Sequence, residues 1–399
     1  MKIVQINCQF ATGSTGKMVS AIYEYSKQQG DETYVIYGMG DKRSDEHLIR
    51  TTPWAVRKAQ SFRARITGYP YGGCIWGTVA ALSALKKIKP DIVHIHCANG
   101  YMINIYRILE YLKKNRIPTV ITNHAEFMYT GGCIYAIDCD KWLTGCHHCG
   151  KISKEHPISY FFDKTDKEWE LFKKAYDGFD DLTVCCVSDW VRDRASQSPF
   201  FKGHPVITVL NGLDTEIFRY SDASRLKAEL GFEEKKIVVH VTSNFYSVVK
   251  GGQHILEMAK RFPDAEFVIL GSEAKDDSHP SNCHFMGKIS DQKLLAQYYS
   301  MGDICLLTSV RETFSMVCAE SLCCGTPVVG FKSGGPETIS LPEYSLFVDQ
   351  GEADELETAL KDMLNRPFEK KLVSDIAKKT YGQDTMCRNY YEVYRKTAL

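Results

Sequence analysis

At 399 residues the chain is longer than one hydrophobic core comfortably organises, since cores stop growing near roughly 250–300 residues, and two domains are expected. The 49 Lys and Arg balance 49 Asp and Glu, and a net charge of zero excludes a broad electrostatic grip on nucleic acid. No apolar run of about 18 residues is present to span a bilayer, and the opening stretch is too short and polar for an export signal. The 15 cysteines therefore read as reduced thiols in a cytosolic protein.

Short β-branched runs alternate with helical patterns, the grammar of parallel sheets flanked by helices. In the first half, strands are predicted over residues 2–8, 33–37, 91–96, 119–123 and 182–187, with helices near 17–28, 78–88 and 103–115. Gly13 and Gly16 follow the first strand in a small-residue loop. It fails the phosphate-loop pattern, because Ala11 stands five before Gly16 and Met18 follows Lys17. Residues 54–66 mix Trp54 and Phe62 with Arg57, Lys58, Arg63 and Arg65 and contain no acid. That pattern suits either a solvated helix or contact with an anionic membrane surface. Residues 198–205, with two prolines and a glycine, form the expected hinge, and Val206 is expected to enter the second domain.

The second half repeats the pattern, with strands predicted over 237–242, 266–270, 283–286, 304–307, 327–331 and 346–348. Its most informative stretch is 311–320, where Glu312 and Glu320 stand eight positions apart on a segment entering a helix started by Thr313 or Ser315 and stopped by Gly325 and Pro327. A helix N-terminus offers unpaired N–H groups and partial positive charge to a phosphate, while nearby carboxylates accept hydrogen bonds from sugar hydroxyls. Met386, Tyr390, Tyr391 and Tyr394 recur at helical spacing in a terminal helix over 383–394.

Together with Gly325 to Val329 and Ser333 to Glu337, this stretch resembles the Glu-x7-Glu element of retaining GT-B glycosyltransferases of family 4. Residues 90–96 and 121–133 resemble the first domain of the members that build polysaccharides. The resemblance implies an α/β fold of two Rossmann-like parallel-sheet domains facing a cleft: an acceptor domain at 1–203, a donor domain at 204–381, and a terminal helix at 382–399 packing back on the first. It implies that Lys250 contacts the donor diphosphate, that Phe314, Ser315 and Met316 present backbone amides to it, and that Glu320 accepts ribose hydroxyls. Glu312 and His124 face the transferred sugar, Gly271 and Ile289 border the base, and Gly13 and Gly16 line the cleft. Asn211 to Asp214 matches a further family segment that also reads simply as a turn.

The implied reaction is a front-face displacement in which the departing phosphate helps take the acceptor proton, with no cofactor required. A UDP- or GDP-sugar is expected rather than an ADP-sugar. The expected acceptor is a glycan, lipid-linked and bound for capsule, O-antigen or exopolysaccharide, with peripheral contact at the inner face of the plasma membrane. Two departures stand out. Asn244 and Phe245 occupy the region where the family carries an arginine, leaving Arg311 as one replacement cation, and Ala125 follows His124 where an aspartate is usual, leaving Glu126 to compensate.

Cys133, Cys139, Cys146 and Cys149, spaced C-x5-C-x6-C-x2-C, suit either a structural zinc site or free thiols in a loop. Asp138 and Asp140 mimic the metal-binding D-x-D of the other major glycosyltransferase fold, a reading at odds with the rest of the chain. A sugar-nucleotide epimerase on a similar scaffold and a non-catalytic zinc-binding protein remain as alternatives to transfer.

Overall fold

The computed structural model describes residues 1–150, 159–276 and 278–398; residue 399, the last of the expected terminal helix, lies outside them. The chain forms two units, Met1–Leu210 with Met386–Leu399, and Asn211–Thr385.

The first unit is built on seven strands: β1 (Lys2–Gln9), β2 (Glu32–Met39), β3 (Leu48–Arg50), β4 (Ile92–Ile95), β5 (Thr119–Asn123), β6 (Leu182–Cys186) and β7 (Val206–Thr208). They lie in the order β3-β2-β1-β4-β5-β6-β7, with every pairing parallel. The central strands β4 and β5 are buried throughout, which is why they read as near-continuous apolar runs rather than as alternating ones. Strand order reverses between β1 and β4, so the loops leaving those two strands diverge and open a crevice at their carboxyl ends.

Val206, expected in the second domain, instead opens β7, which pairs with β6 from Val184↔Val206 to Cys186↔Thr208. A three-residue edge strand beside a proline carries little periodicity to reveal it. β3, equally short, was hidden for the same reason.

The second unit holds β8 (Lys236–Val241), β9 (Ala265–Leu270), β10 (Cys283–Phe285), β11 (Ile304–Leu307), β12 (Val328–Phe331) and β13 (Ser345–Val348). Their order is β10-β9-β8-β11-β12-β13, again all parallel, with the reversal between β8 and β11. Val238, Phe267, Ile269, Leu306 and Val329 form its core with Ile255 and Met258 of one helix and Leu356 and Leu360 of another.

The terminal helix, Gln383–Thr397, has its tyrosines at helical spacing for more than surface packing. Tyr390 and Tyr394 are buried within the first unit, where the Tyr394 hydroxyl lies 2.6 Å from His94 Nδ1 and Thr122 Oγ1 donates to the Tyr390 hydroxyl at 3.2 Å. A buried polar group left without its partner costs about 1–3 kcal/mol. Tyr394→Phe, which keeps the ring and strands His94 Nδ1, should therefore lower stability by about that amount in urea unfolding.

Candidate active site

In the second unit Lys250 and the Glu312 to Met316 stretch follow the two strands that flank the reversal, β8 and β11, while Gly271 and Ile289 follow β9 and β10 and Glu320 lies within the helix after β11. The chain at Lys250 is held against the end of β11, since Val310 N donates to Val249 O at 2.8 Å and Thr308 Oγ1 to Lys250 O at 3.2 Å. Gly251 follows in the left-handed region, where a Cβ would lie 2.1 Å from the Thr308 carbonyl oxygen.

Lys250 Nζ donates to Glu312 Oε1 at 2.6 Å, joining two of the residues the sequence singled out. Glu312 is fixed on its backbone as well: its N–H donates to Ser333 O at 2.9 Å and its carbonyl accepts from Gly335 N at 2.8 Å. The partner loop is braced by Glu337, whose carboxylate accepts from Ser333 N and Gly334 N at 3.0 and 2.8 Å. Gly335 allows the approach, because a Cβ there would stand 2.4 Å from the Thr313 carbonyl.

This clamp positions the helix Met316–Cys323. Its N-cap is Ser315, at φ 70, a conformation costly for a side chain-bearing residue and sustained only where surroundings over-determine it. Ser315 Oγ accepts from Cys318 N at 3.3 Å, while Met316 begins the helix at the positive end of its dipole. Glu320 lies one turn further on, where the buried Tyr299 hydroxyl donates to Oε2 at 3.0 Å. A cation, the start of a helix and oriented carboxylates thus lie on the segments that follow β8 and β11, a set suited to a phosphorylated, hydroxyl-rich ligand. Ile289 sits half-buried beyond β10, two residues after Gly287, whose carbonyl oxygen accepts from Gly271 N at 2.7 Å.

Phe245 is 1% exposed and packs edge-on against Phe285 at 5.0 Å between ring centroids. The position where the resemblance led to the expectation of an arginine is a core position.

In the first unit Gly13 and Gly16 fall in the opening turn of the helix Gly13–Gln28, directly after β1. His124 follows β5, and the structure adds a neighbour: His96, at the end of β4, has Nδ1 3.2 Å from His124 Nε2 and Nε2 3.1 Å from Gln5 Oε1 of β1. The rings of His96 and His124 stack at 5.5 Å. Burial pushes the His124 imidazole down to about 4, and burial with its neighbouring imidazoles holds His96 well below the usual range, so both rings are neutral near pH 7. The two-residue spacing of His94 and His96 places both on one face of β4, a signal the sequence reading left unused.

Glu126 does not compensate for the missing aspartate. It is fully buried, its Oε2 lies 3.1 Å from Arg194 Nη2 and its Oε1 accepts from Ala136 N at 3.1 Å, so both oxygens hold the 126–136 loop together. Arg194 also stacks over Trp142, giving the loop a rigid base.

Cys133, Cys139, Cys146 and Cys149 are free and half-buried. Among the described residues, no group of three or more His, Cys, Asp or Glu side chains is gathered as metal ligands. Burial first, and neighbouring thiols second, push Cys146 up to about 12 and Cys133 higher still, so both are protonated at neutral pH.

Residues 15–217 match the model described as Glycosyltransferase Family 4, and residues 222–383 match Glycosyl transferases group 1. The chain belongs to glycosyltransferase family 4. A curated relative, described as a putative colanic acid biosynthesis glycosyl transferase of Escherichia coli K12, is 23% identical over 84% of each chain. The fold is shared with sucrose-phosphate synthase of Thermosynechococcus elongatus, at a TM-score of 0.69 and 15% identity over 99% of this chain and 98% of that one. It is also shared with Anabaena HepE in complex with UDP, at a TM-score of 0.64 and 16% identity over 99% and 100% of the two chains. The transferase thus has the GT-B architecture of paired Rossmann-like parallel sheets. Among its described residues no helix is long and apolar enough to cross a membrane.

The clamp on the helix Met316–Cys323 can be tested by substitution at Gly335. Gly335→Ala in this glycosyltransferase should cost about 1–3 kcal/mol by forcing the 312–315 turn away, with faster amide exchange over 312–318. Gly150→Ala, where a Cβ meets nothing within 4 Å, should leave the unfolding midpoint unchanged.

Proposed function

We propose that this glycosyltransferase moves a hexosyl unit, with retention, from a UDP- or GDP-sugar to a lipid-linked glycan acceptor in polysaccharide assembly. The observation that carries the reading is the Lys250–Glu312 pair beside the N-terminus of the helix that holds Glu320. Lys250 serves the diphosphate, whose negative charge grows as the anomeric C–O bond breaks. The Phe314 to Met316 amides supply fixed dipoles there, and Glu320, held by Tyr299, takes the ribose hydroxyls. His124 is the first unit's candidate contact for a substrate hydroxyl. The departing phosphate then receives the proton of the acceptor hydroxyl as the new glycosidic bond forms. That HepE was solved with UDP supports a uridine donor, and the description of the E. coli relative supports polysaccharide assembly.

A panel of UDP-, GDP- and ADP-sugars measured by calorimetry should show one base bound selectively, with affinity reduced at least tenfold in both Lys250→Ala and Glu320→Ala. Unchanged affinity in those variants would remove the donor assignment. A changed sugar released without any acceptor would point to epimerisation instead.

A lipid-linked acceptor is supported by the surface of the first unit. The helix Trp54–Thr67 exposes Trp54 and Phe62 beside Arg57, Lys58, Arg63 and Arg65, and the next helix, Ile75–Ile88, exposes Ile75 and Trp76. Phe161 is 71% exposed on a segment tied to the first of these helices by Tyr160 N to Arg65 O at 2.7 Å. Aromatic side chains among cations fit an anionic lipid interface. The link between the helices is joined to the loop that follows His124, as the Tyr71 hydroxyl donates to Gly132 O at 2.7 Å.

The protein should sediment with vesicles containing phosphatidylglycerol and not with pure phosphatidylcholine. Each of Arg57→Gln and Arg63→Gln should weaken binding about fivefold at low salt, from roughly 1 kcal/mol per cation. Equal retention by both vesicle types, or by neither, would rule out this docking.

A further inference from the structure

We propose that Glu168 is a proton-operated latch of the first unit: as an uncharged acid it closes an aromatic joint that ties the helices Trp54–Thr67 and Ile75–Ile88 to the loop after His124, and as a carboxylate it opens that joint. Closing and opening follow from the joint itself; only their bearing on acceptor docking rests on the lipid-facing reading of those two helices.

Four segments meet there. Glu168 stands in the first turn of the helix Thr165–Tyr176 and is 1% exposed. The Tyr106 hydroxyl, from the helix Ile105–Lys114, donates to its Oε2. Tyr69 and Tyr71 come from the link between the two exposed helices, and the Tyr71 hydroxyl reaches on to Gly132 O of the loop after His124. Phe172, one turn beyond Glu168, has its ring centroid 4.9 Å from Tyr106 and 5.8 Å from Tyr71, and Phe127 stacks on Tyr71 at 5.2 Å. Tyr71, Tyr106, Phe127 and Phe172 are all buried.

Such surroundings accept a carboxylic acid and resist a carboxylate, because a charge among apolar rings forfeits hydration that only a counter-ion and hydrogen bonds replace. The groups that face Glu168 replace little of it. Tyr69, Tyr71 and Tyr106 are held in their protonated forms, by burial first and by this carboxyl next. Lys167, its neighbour on the same helix, lies over the Tyr69 ring at 5.4 Å. Arg107 and Glu110 act on Tyr69 in opposite directions, and Cys133 borders Tyr71 as a neutral thiol. Glu168 Oε1 completes no hydrogen bond among the described residues. Burial therefore outweighs the help of Tyr106, the nearby Tyr71 backbone and Lys167, and pushes the Glu168 carboxyl up to about 8.

The pH dependence has a definite sign. In an opened segment a glutamate loses its proton near its ordinary 4.5, so from there to about 8 the closed joint holds one proton more than the open one. Closure is strongest at low pH, weakens about tenfold per pH unit across that window and levels off above it. At neutral pH the latch is closed, and an alkaline shift frees Tyr71 and, through it, the link and Gly132.

Amide exchange of the full chain, corrected for the pH dependence of the intrinsic rate, reads the open population at residues 69–73 and 131–133. Protection there should fall about tenfold per pH unit between about 5.5 and 7.5, and the fall should vanish in Glu168→Gln, which keeps the shape without the titrating proton. Equal slopes in the two proteins, or no slope in the native chain, would overturn the latch. Infrared spectra of the native chain at pH 7 should also contain the carbonyl stretch of a protonated carboxylic acid that moves on ¹³C-glutamate labelling. Its absence would overturn the proposal whether or not the variant folds. Neither readout uses sugar or lipid, so failure to bind anionic vesicles with the tenfold slope intact would sink the lipid-facing reading alone.

Discussion

Parallel strands all deliver their carboxyl ends to one edge of a sheet, and every candidate site residue depends on that constraint. In each unit the strand order reverses at the centre, between β1 and β4 and between β8 and β11, so the loops there part and leave room for a ligand. The sheets themselves contribute little chemistry. They bring the ends of strands distant in sequence within a few ångströms, which is how Gln5, His96 and His124 meet across 119 residues and Lys250 meets Glu312 across 62.

The two units meet the cost of polar strand ends in different ways. The second uses backbone: the 312–315 turn is laid against the 333–335 turn, Glu337 satisfies the amides of the latter, and a strained Ser315 is held at the head of a helix. The first uses side chains, pairing imidazoles with an amide, a threonine and the tyrosines of the terminal helix. In a low-dielectric interior such a network orients its members firmly, because any reversal would leave a buried donor or acceptor unmatched. The terminal helix therefore belongs to the first sheet by chemistry as well as by packing.

The two departures from the family pattern have distinct physical outcomes. At Phe245, where the resemblance implied a cation nearby, the structure has an aromatic ring in the core with Phe285 and Tyr246 at its edges, an environment that suits no charge. At Ala125 the loss is not offset next door. Glu126 points inward to Arg194, and removing it would leave a half-buried guanidinium without its counter-ion. The loop after His124 is thus anchored by a structural ion pair.

Sequence alone determined the alternation of strands and helices, the division into two units, and the residues that follow strands in the second half, because buried parallel strands read as apolar runs and their ends are marked by glycine, proline and capping residues. The Glu312 and Glu320 spacing could be read from local helix start and stop signals, whereas Lys250 and His124 were expected only from the family resemblance. What the tertiary structure decided are the matters set by contacts between distant segments: β3 and β7 as edge strands too short to show a period, Glu126 as a buried clamp, and Phe245 as core. The partnership of Gln5 and His96 with His124 belongs there too, since no spacing in a linear chain records which nitrogen of one ring will face another across a sheet.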